Sequence, residues 1–107
     1  MTSMSQVVKA VVLANIDHDY ITECGGTLEA VYNSEYGYNG LTSKACKDYL
    51  QGLPSVCTIP FSNFEILELL KAQGIERKTE KAKDTLIQKY WEQAGQEFYR
   101  MVKYGIK

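Results

Sequence analysis

A chain of 107 residues is long enough for one hydrophobic core and too short for two, so we interpret residues 1–107 as a single domain. Hydrophobic residues make up 45% of the chain and there are only two prolines, a composition typical of a folded globular protein rather than a disordered one. The net charge of −1 excludes the strongly basic composition of proteins that bind nucleic acid chiefly through charge.

Composition also bears on the cellular compartment. The longest uncharged apolar-rich run, residues 11–16, is far shorter than the roughly 20 residues that span a bilayer. The amino terminus lacks the basic start and small-residue cleavage pattern of a secretory signal. Three cysteines with no metal or redox spacing favour reduced thiols, although an engineered or intermolecular disulfide stays open. We therefore expect a cytoplasmic protein with no membrane contact.

Two helices are predicted in the first 40 residues. Residues 5–16 form the first, capped by Ser3 or Ser5; four valines in this segment also fit a strand, but we favour the helix. The second covers residues 27–36, beginning at Thr27 after two glycines. Residues 35–40 then form a turn.

A shorter helix is predicted over residues 42–51, with Thr42 or Ser43 as its cap and Gly52 as its end. Residues 55–60 are too apolar for a solvent loop and too short for a sheet strand, which would also lack a partner. We expect this segment to be a buried connection beneath the long carboxy-terminal helix.

The helix over residues 63–73 has the clearest boundaries. Ser62 and Glu65 have the spacing of a capping box, and Phe61 and Ile66 have that of a hydrophobic staple. Its apolar residues are spaced to form one broad buried stripe: Phe64, Ile66, Leu67, Leu69 and Leu70.

This helix should end in a Schellman motif. Gly74 suits the left-handed position after the last turn, and Ile75 would then contact Leu70.

The longest predicted helix runs from Thr79 to Tyr104 and would be roughly 38 Å long. Thr79 suits its cap, and Gly105 follows its end. Gly95 in its middle predicts the close approach of another helix, because glycine otherwise costs a helix about 1 kcal/mol. The elements together predict an all-α fold of four or five helices, in which helices 42–51 and 63–73 pack on the long one.

One cluster contains residue types that bind metals or act as nucleophiles: Asp17, His18, Asp19, Glu23 and Cys24. Adjacent residues point in different directions in regular structure, so the Asp-His-Asp run does not form a convergent ligand set. A single histidine and cysteines without a diagnostic motif also argue against thiol catalysis. We interpret the cluster as a solvated helix end or loop, and we expect no metal, no cofactor and no enzymatic activity.

Nucleic-acid binding is the alternative function. Helices 42–51 and 63–73 superficially suggest a helix-turn-helix, but their linker is longer than the usual 3–4 residues and the second helix offers glutamates instead of base-reading side chains. The remaining candidates for phosphate contacts are the basic residues at the start of the long helix: Arg77, Lys78, Lys81 and Lys83. Acidic residues interrupt this group, which favours a solvated helix start.

Eight tyrosines are many for this length, and tyrosine is enriched at protein interfaces. Tyr32, Tyr36 and Tyr38 surround the polar turn, and we predict that they form a partner-binding surface together with Asp17 and Asp19. A second apolar side of the long helix would bind a partner or a second copy of the chain, giving a homodimer; its residues are Trp91, Tyr99 and Tyr104.

The string DYLQGLPSVCTIPFSNFEILELL, followed by KYWEQAGQEFY, resembles a group of small uncharacterised accessory proteins of phages, prophages and mobile elements. The resemblance spans residues 47–99 and implies no catalytic residues. It implies a binding strategy, because many such proteins act stoichiometrically on a host protein. We therefore expect a protein-binding accessory factor.

Overall fold

The computed structural model describes residues 3–37 and 40–106, which contain six helices. The helices are α1 (Met4–Ala14), α2 (His18–Glu23), α3 (Leu28–Tyr36), α4 (Ser43–Gln51), α5 (Asn63–Ala72) and α6 (Glu80–Tyr104). No strand occurs in these two ranges, so the predicted all-α fold is confirmed. The helix beyond the expected four or five is the short α2.

Helix α6 is the axis of the fold. Its 25 residues extend about 38 Å, close to the full 44 Å length of the molecule. Helices α1, α3, α4 and α5 all pack on it, α4 most extensively. Its buried side chains therefore reach nearly every other element: Leu86, Tyr90, Trp91, Ala94, Glu97, Phe98, Met101 and Val102.

Every helix begins at a residue whose side chain accepts a hydrogen bond from the backbone amide three residues later. These caps are Ser3, Asp17, Thr27, Thr42, Ser62 and Thr79. Five of them were predicted from local sequence, and the choices Ser3 over Ser5 and Thr42 over Ser43 are now settled. The first segment is a helix and not a strand, but it ends at Ala14, two residues early, because the chain then turns to begin α2 at Asp17.

Helix α5 has the predicted cap, Ser62, and the predicted ending, but the hydrogen bonds of its capping box differ from those expected. The Gly74 amide donates to the Lys71 carbonyl at 3.0 Å and the Ile75 amide to the Leu70 carbonyl at 2.9 Å, which completes a Schellman motif. At the start, the Ser62 hydroxyl accepts from the Glu65 amide and donates to the Glu65 carboxylate at 2.8 Å. The predicted capping box is therefore only half formed, since the carboxylate binds the Ser62 hydroxyl and not its amide.

Phe61 makes a contact that the sequence did not predict, and its staple with Ile66 stays a prediction. It is partly exposed, and its ring packs edge-on against Trp91 of α6, with 5.8 Å between the ring centroids. This contact joins the entry of α5 to α6. The Phe61 ring also covers one side of Trp91, which is buried. Trp91 therefore does not lie on the second, exposed side that was predicted for α6.

The close approach predicted at Gly95 is confirmed. A Cβ atom added there would lie 2.5 Å from the Ser43 carbonyl oxygen and 2.8 Å from the Lys47 Cβ, both in α4. Only a residue without a side chain allows α4 to lie this close to α6.

Residues 55–60 form the predicted buried connection. Val56, Cys57 and Ile59 are buried, and the Tyr90 hydroxyl of α6 donates to the Pro60 carbonyl at 3.0 Å. The expectation that an extended segment here would lack a partner is wrong, because Cys57 forms an antiparallel bridge with Ile16. The chain after α1 supplies this partner, which sequence periodicity did not reveal.

Among the residues described, no helix is both long enough and apolar enough to cross a membrane.

Candidate functional site

The predicted tyrosine surface is largely part of the core. Tyr32 is 1% exposed, and its hydroxyl donates to the Gly40 carbonyl at 2.9 Å. Its ring packs against Tyr36 and Tyr49, with centroid separations of 5.5 and 5.1 Å. Tyr32 therefore offers almost no surface to a partner, and its burial does not support the predicted role in partner binding.

Of the other two predicted tyrosines, the structure describes only Tyr36. Tyr36 is half-buried, and its ring lies edge-on to Tyr49 at 5.6 Å. Tyr38 lies outside the described residues, so its assignment stays a prediction.

Glu35 ties three helices together beside these rings. The Tyr20 hydroxyl of α2 donates to one Glu35 carboxylate oxygen at 2.7 Å, and the Tyr49 hydroxyl of α4 donates to the other. The hydrogen bond to Glu35 is the main cause that raises the pKa of Tyr20 to about 12. Burial, followed by the same carboxylate, raises the pKa of Tyr49 well above its ordinary value. Both hydroxyls therefore stay protonated as donors, and the cluster holds the fold together.

The acidic residues predicted beside the tyrosines lie at the start of α2. Asp17 caps that helix by accepting from the Tyr20 amide at 3.0 Å, and Asp19 lies in its first turn. Both are exposed, as expected for a solvated helix end. No three metal-binding side chains come together within residues 3–37 and 40–106.

The cysteines differ in accessibility. Cys24 is exposed, whereas Cys46 and Cys57 are buried, and all three are free thiols. Burial raises the pKa of Cys46 to about 11 and that of Cys57 to about 12. Thiols with such pKa values are protonated near neutral pH and are poor nucleophiles, so their surroundings fit a core role.

Glu97 is the most deeply buried acidic side chain described, at 3% exposure. Its carboxylate accepts from Gln93 at 3.1 Å and from Arg100 at 2.9 Å, so its charge is compensated. Gln93 also reaches the Ser5 hydroxyl at 3.4 Å. These contacts connect α1 to α6 through Gln93 and bind the carboxylate to side chains of its own helix.

The four basic residues proposed for nucleic-acid binding do not all line the same cavity. Arg77 and Lys81 line one cavity, Arg77 and Lys83 line another, and Lys78 is in neither lining. Lys83 also pairs with Glu80 at 3.6 Å. Nucleic-acid binding stays a prediction, and this arrangement adds no support to it.

An exposed aromatic side chain that sequence reasoning placed in the core lies on α5. Phe64 is 73% exposed, although it was expected on the buried stripe of that helix. Ile66 and Leu70 are the fully buried residues, and Phe64 lies well around the helix from both. The predicted apolar stripe of α5 was wider than the face that the helix buries. This excess width was the sequence signal that part of the stripe would be exposed.

Phe64 borders a cavity of about 260 Å³, which we name the α5–α6 cleft. Both apolar and charged side chains line it: Phe64, Leu67, Glu68, Lys71, Ile75, Glu76, Arg77, Lys83 and Leu86. Lys71 pairs with Glu76 at 3.6 Å on its rim. The cleft therefore combines a central apolar surface with a charged edge.

A larger cavity of about 580 Å³, which we name the α1–α6 cavity, lies next to the cleft. Ten residues line it: Ser3, Met4, Ile75, Arg77, Thr79, Lys81, Ala82, Thr85, Leu86 and Lys89. Ile75, Arg77 and Leu86 belong to both linings.

Comparisons with protein-family models, with curated proteins and with solved structures found no match to this chain. The resemblance to accessory proteins of mobile elements thus stays an expectation from sequence, and the geometry alone supports a function.

Proposed function

We propose that this protein is a cytoplasmic, non-enzymatic factor that binds a protein partner stoichiometrically through the α5–α6 cleft. The observation that carries the proposal is the 73% exposure of Phe64 at the edge of that cleft. A host protein is the partner class that the sequence resemblance implies.

The energetic argument rests on the size of the exposed side chain. Full burial of a phenylalanine contributes roughly 1.5–3 kcal/mol, which is the size of an interface hot spot. Leu67, half-buried one turn along α5, extends the same apolar surface into the cleft. Because Phe64 is 73% exposed, the folded monomer gains only a small part of this free energy, and a partner that covers the ring would gain the rest.

The surroundings of Phe64 match the anatomy of protein interfaces. Apolar contact at the centre and charged residues at the rim are typical of such surfaces. Here Leu67 and Ile75 lie inside, and the Lys71–Glu76 ion pair lies at the edge. The proposed contact surface is therefore the α5–α6 cleft and not the tyrosine region predicted from sequence.

Site-specific photo-crosslinking tests this surface. A benzoylphenylalanine is placed at position 64, and in a matched variant at position 104, whose natural tyrosine is 65% exposed at the other end of α6. In cells of the source organism we expect a single dominant adduct from position 64, suppressed by an excess of unlabelled wild-type chain, and none from position 104. Equal adducts from both positions, or an adduct that excess wild type does not suppress, would reject the cleft as the binding surface.

A further inference from the structure

The α1–α6 cavity has an apolar floor. Leu86 is buried, and Met4 and Ile75 are half-buried. These three side chains come from α6, α1 and the segment after α5, so the floor is built by tertiary packing and not by one helix. The volume of about 580 Å³ lies within the range of roughly 300–1,000 Å³ found for small-molecule sites.

The wall of this cavity carries one sign of charge. Arg77, Lys81 and Lys89 line it, and its lining includes no carboxylate. Lys81 and Lys89 are eight residues apart on α6, which places them about 12 Å apart along the axis and on neighbouring sides of the helix. In the part of the chain that the structure describes, neither lysine takes part in an ion pair. Their charges are therefore available to a ligand.

Two further features add to the positive potential. Ser3 and Thr79, the caps of α1 and α6, both belong to the lining, so the positive ends of two helix dipoles lie at this cavity. Their hydroxyls already accept from the Gln6 and Ala82 amides. The direct contacts to an anion would therefore come from the three cationic side chains.

We propose that the α1–α6 cavity binds a small amphiphilic organic anion. The positive charges of Arg77, Lys81 and Lys89 attract its carboxylate or sulfonate head, and its aliphatic or aromatic body lies on the floor. An inorganic anion would leave the apolar floor unused, and a cationic or neutral amphiphile would meet the lysines without compensation. The cavity adjoins the α5–α6 cleft and shares Ile75, Arg77 and Leu86 with it. Phe64 lines only the cleft, whereas Lys81 and Lys89 line only the cavity, so variants at these positions test the two proposals separately.

Titration of the full chain with decanoate tests the charge and the apolar body separately. Decanoate, below its micelle concentration, should bind saturably at one site and shift the backbone NMR signals of Met4, Ile75, Lys81 and Leu86. Acetate has the head without the body and decylammonium has the body with the opposite charge, so neither should saturate these shifts. Anilinonaphthalene sulfonate distinguishes an aromatic from an aliphatic preference. No saturable binding of either anionic amphiphile would overturn the proposal.

Two kinds of variant locate the site. K81Q/K89Q should weaken binding at least tenfold, whereas K9Q/K44Q, which removes the same charge from exposed positions outside the cavity, should leave it within twofold. Ala82→Phe keeps all three cations but fills the cavity, so it should abolish the binding of decanoate. If Ala82→Phe does not fold, Thr85→Trp, at an exposed position of the lining, replaces it in this test.

Other outcomes contradict the proposal. If the cavity-filling variants bind decanoate as tightly as wild type, the anion binds to a charged surface and not inside the cavity. Tight binding of an acidic peptide without any binding of decanoate would show a macromolecular site.

Discussion

Replacing Gly95 with alanine tests the central packing of the fold. In an exposed helix the change would be favourable by about 1 kcal/mol, because alanine is the better helix former. Here the new Cβ would lie 2.5 Å from the Ser43 carbonyl oxygen, 2.8 Å from the Lys47 Cβ and 3.0 Å from the Lys47 amide nitrogen. Two of these three atoms are backbone, so the contact cannot be relieved by turning a side chain.

The magnitude follows from the movement that α4 would need. Restoring an ordinary contact of 3.4 Å requires α4 and α6 to separate by about 0.9 Å, which loosens the buried residues of α4: Ala45, Cys46, Tyr49 and Leu50. Overpacking typically costs about 1–3 kcal/mol, and a clash with backbone belongs at the upper end. After the propensity gain, we expect Gly95→Ala to lower the free energy of unfolding by about 2 kcal/mol.

The assay is thermal and urea unfolding followed by circular dichroism. A loss of about 2 kcal/mol corresponds to a fall in Tm of roughly 8 °C or more for a domain of this size. Gln96→Ala, on the exposed neighbouring position of the same helix, should change stability by less than about 0.5 kcal/mol. A Gly95→Ala protein as stable as wild type, or more stable, would refute the α4–α6 distance on which the fold rests.

Three further predictions follow from the buried groups and the charge distribution. A thiol reagent should label one cysteine per native chain, Cys24, and all three only after unfolding; rapid labelling of Cys46 or Cys57 would contradict their burial. Burial raises the pKa of Cys46 to about 11, of Cys57 to about 12 and of Tyr32 to about 12, so the unfolded chain releases these protons first as the pH rises. Stability from these groups is fully present below pH 9, and Tm should fall progressively between pH 9 and 12; a constant Tm from pH 8 to 11 would contradict this linkage. Because acidic residues interrupt the basic group at the start of α6 and Lys83 pairs with Glu80, we expect no retention on heparin at 150 mM salt; strong, salt-dependent retention would instead favour nucleic-acid binding.

Helix boundaries were predictable because their chemistry is local. A cap such as Thr79 and a stop such as Gly74 depend on residues within one turn, and these were placed correctly. Gly95 was also informative, because a glycine inside a long helix implies a close neighbour. The identity of that neighbour as α4 required the tertiary structure.

The candidate site was less predictable because burial depends on contacts distant in sequence. Tyr32 and Phe64 are both aromatic residues on amphipathic helices, yet the first is buried and the second exposed. Tyr32 is buried because α4 supplies Tyr49 and α6 supplies Phe98 against its ring. Phe64 is exposed because it lies well around α5 from Ile66 and Leu70, which are the residues that this helix buries. Sequence periodicity predicts the face of a helix on which a residue lies, but it does not predict which other helix packs against that face.

The affinity of the crosslinked partner for Phe64→Ser is the most direct test of the proposed function. Removing an exposed side chain should leave Tm unchanged within about 2 °C, since surface substitutions change stability by less than about 0.5 kcal/mol. With the purified partner, we expect Phe64→Ser to raise Kd at least tenfold, a loss of about 1.4 kcal/mol or more, whereas Tyr104→Ser changes it less than twofold. A Phe64→Ser protein that binds the partner as tightly as wild type would contradict the assignment of the α5–α6 cleft.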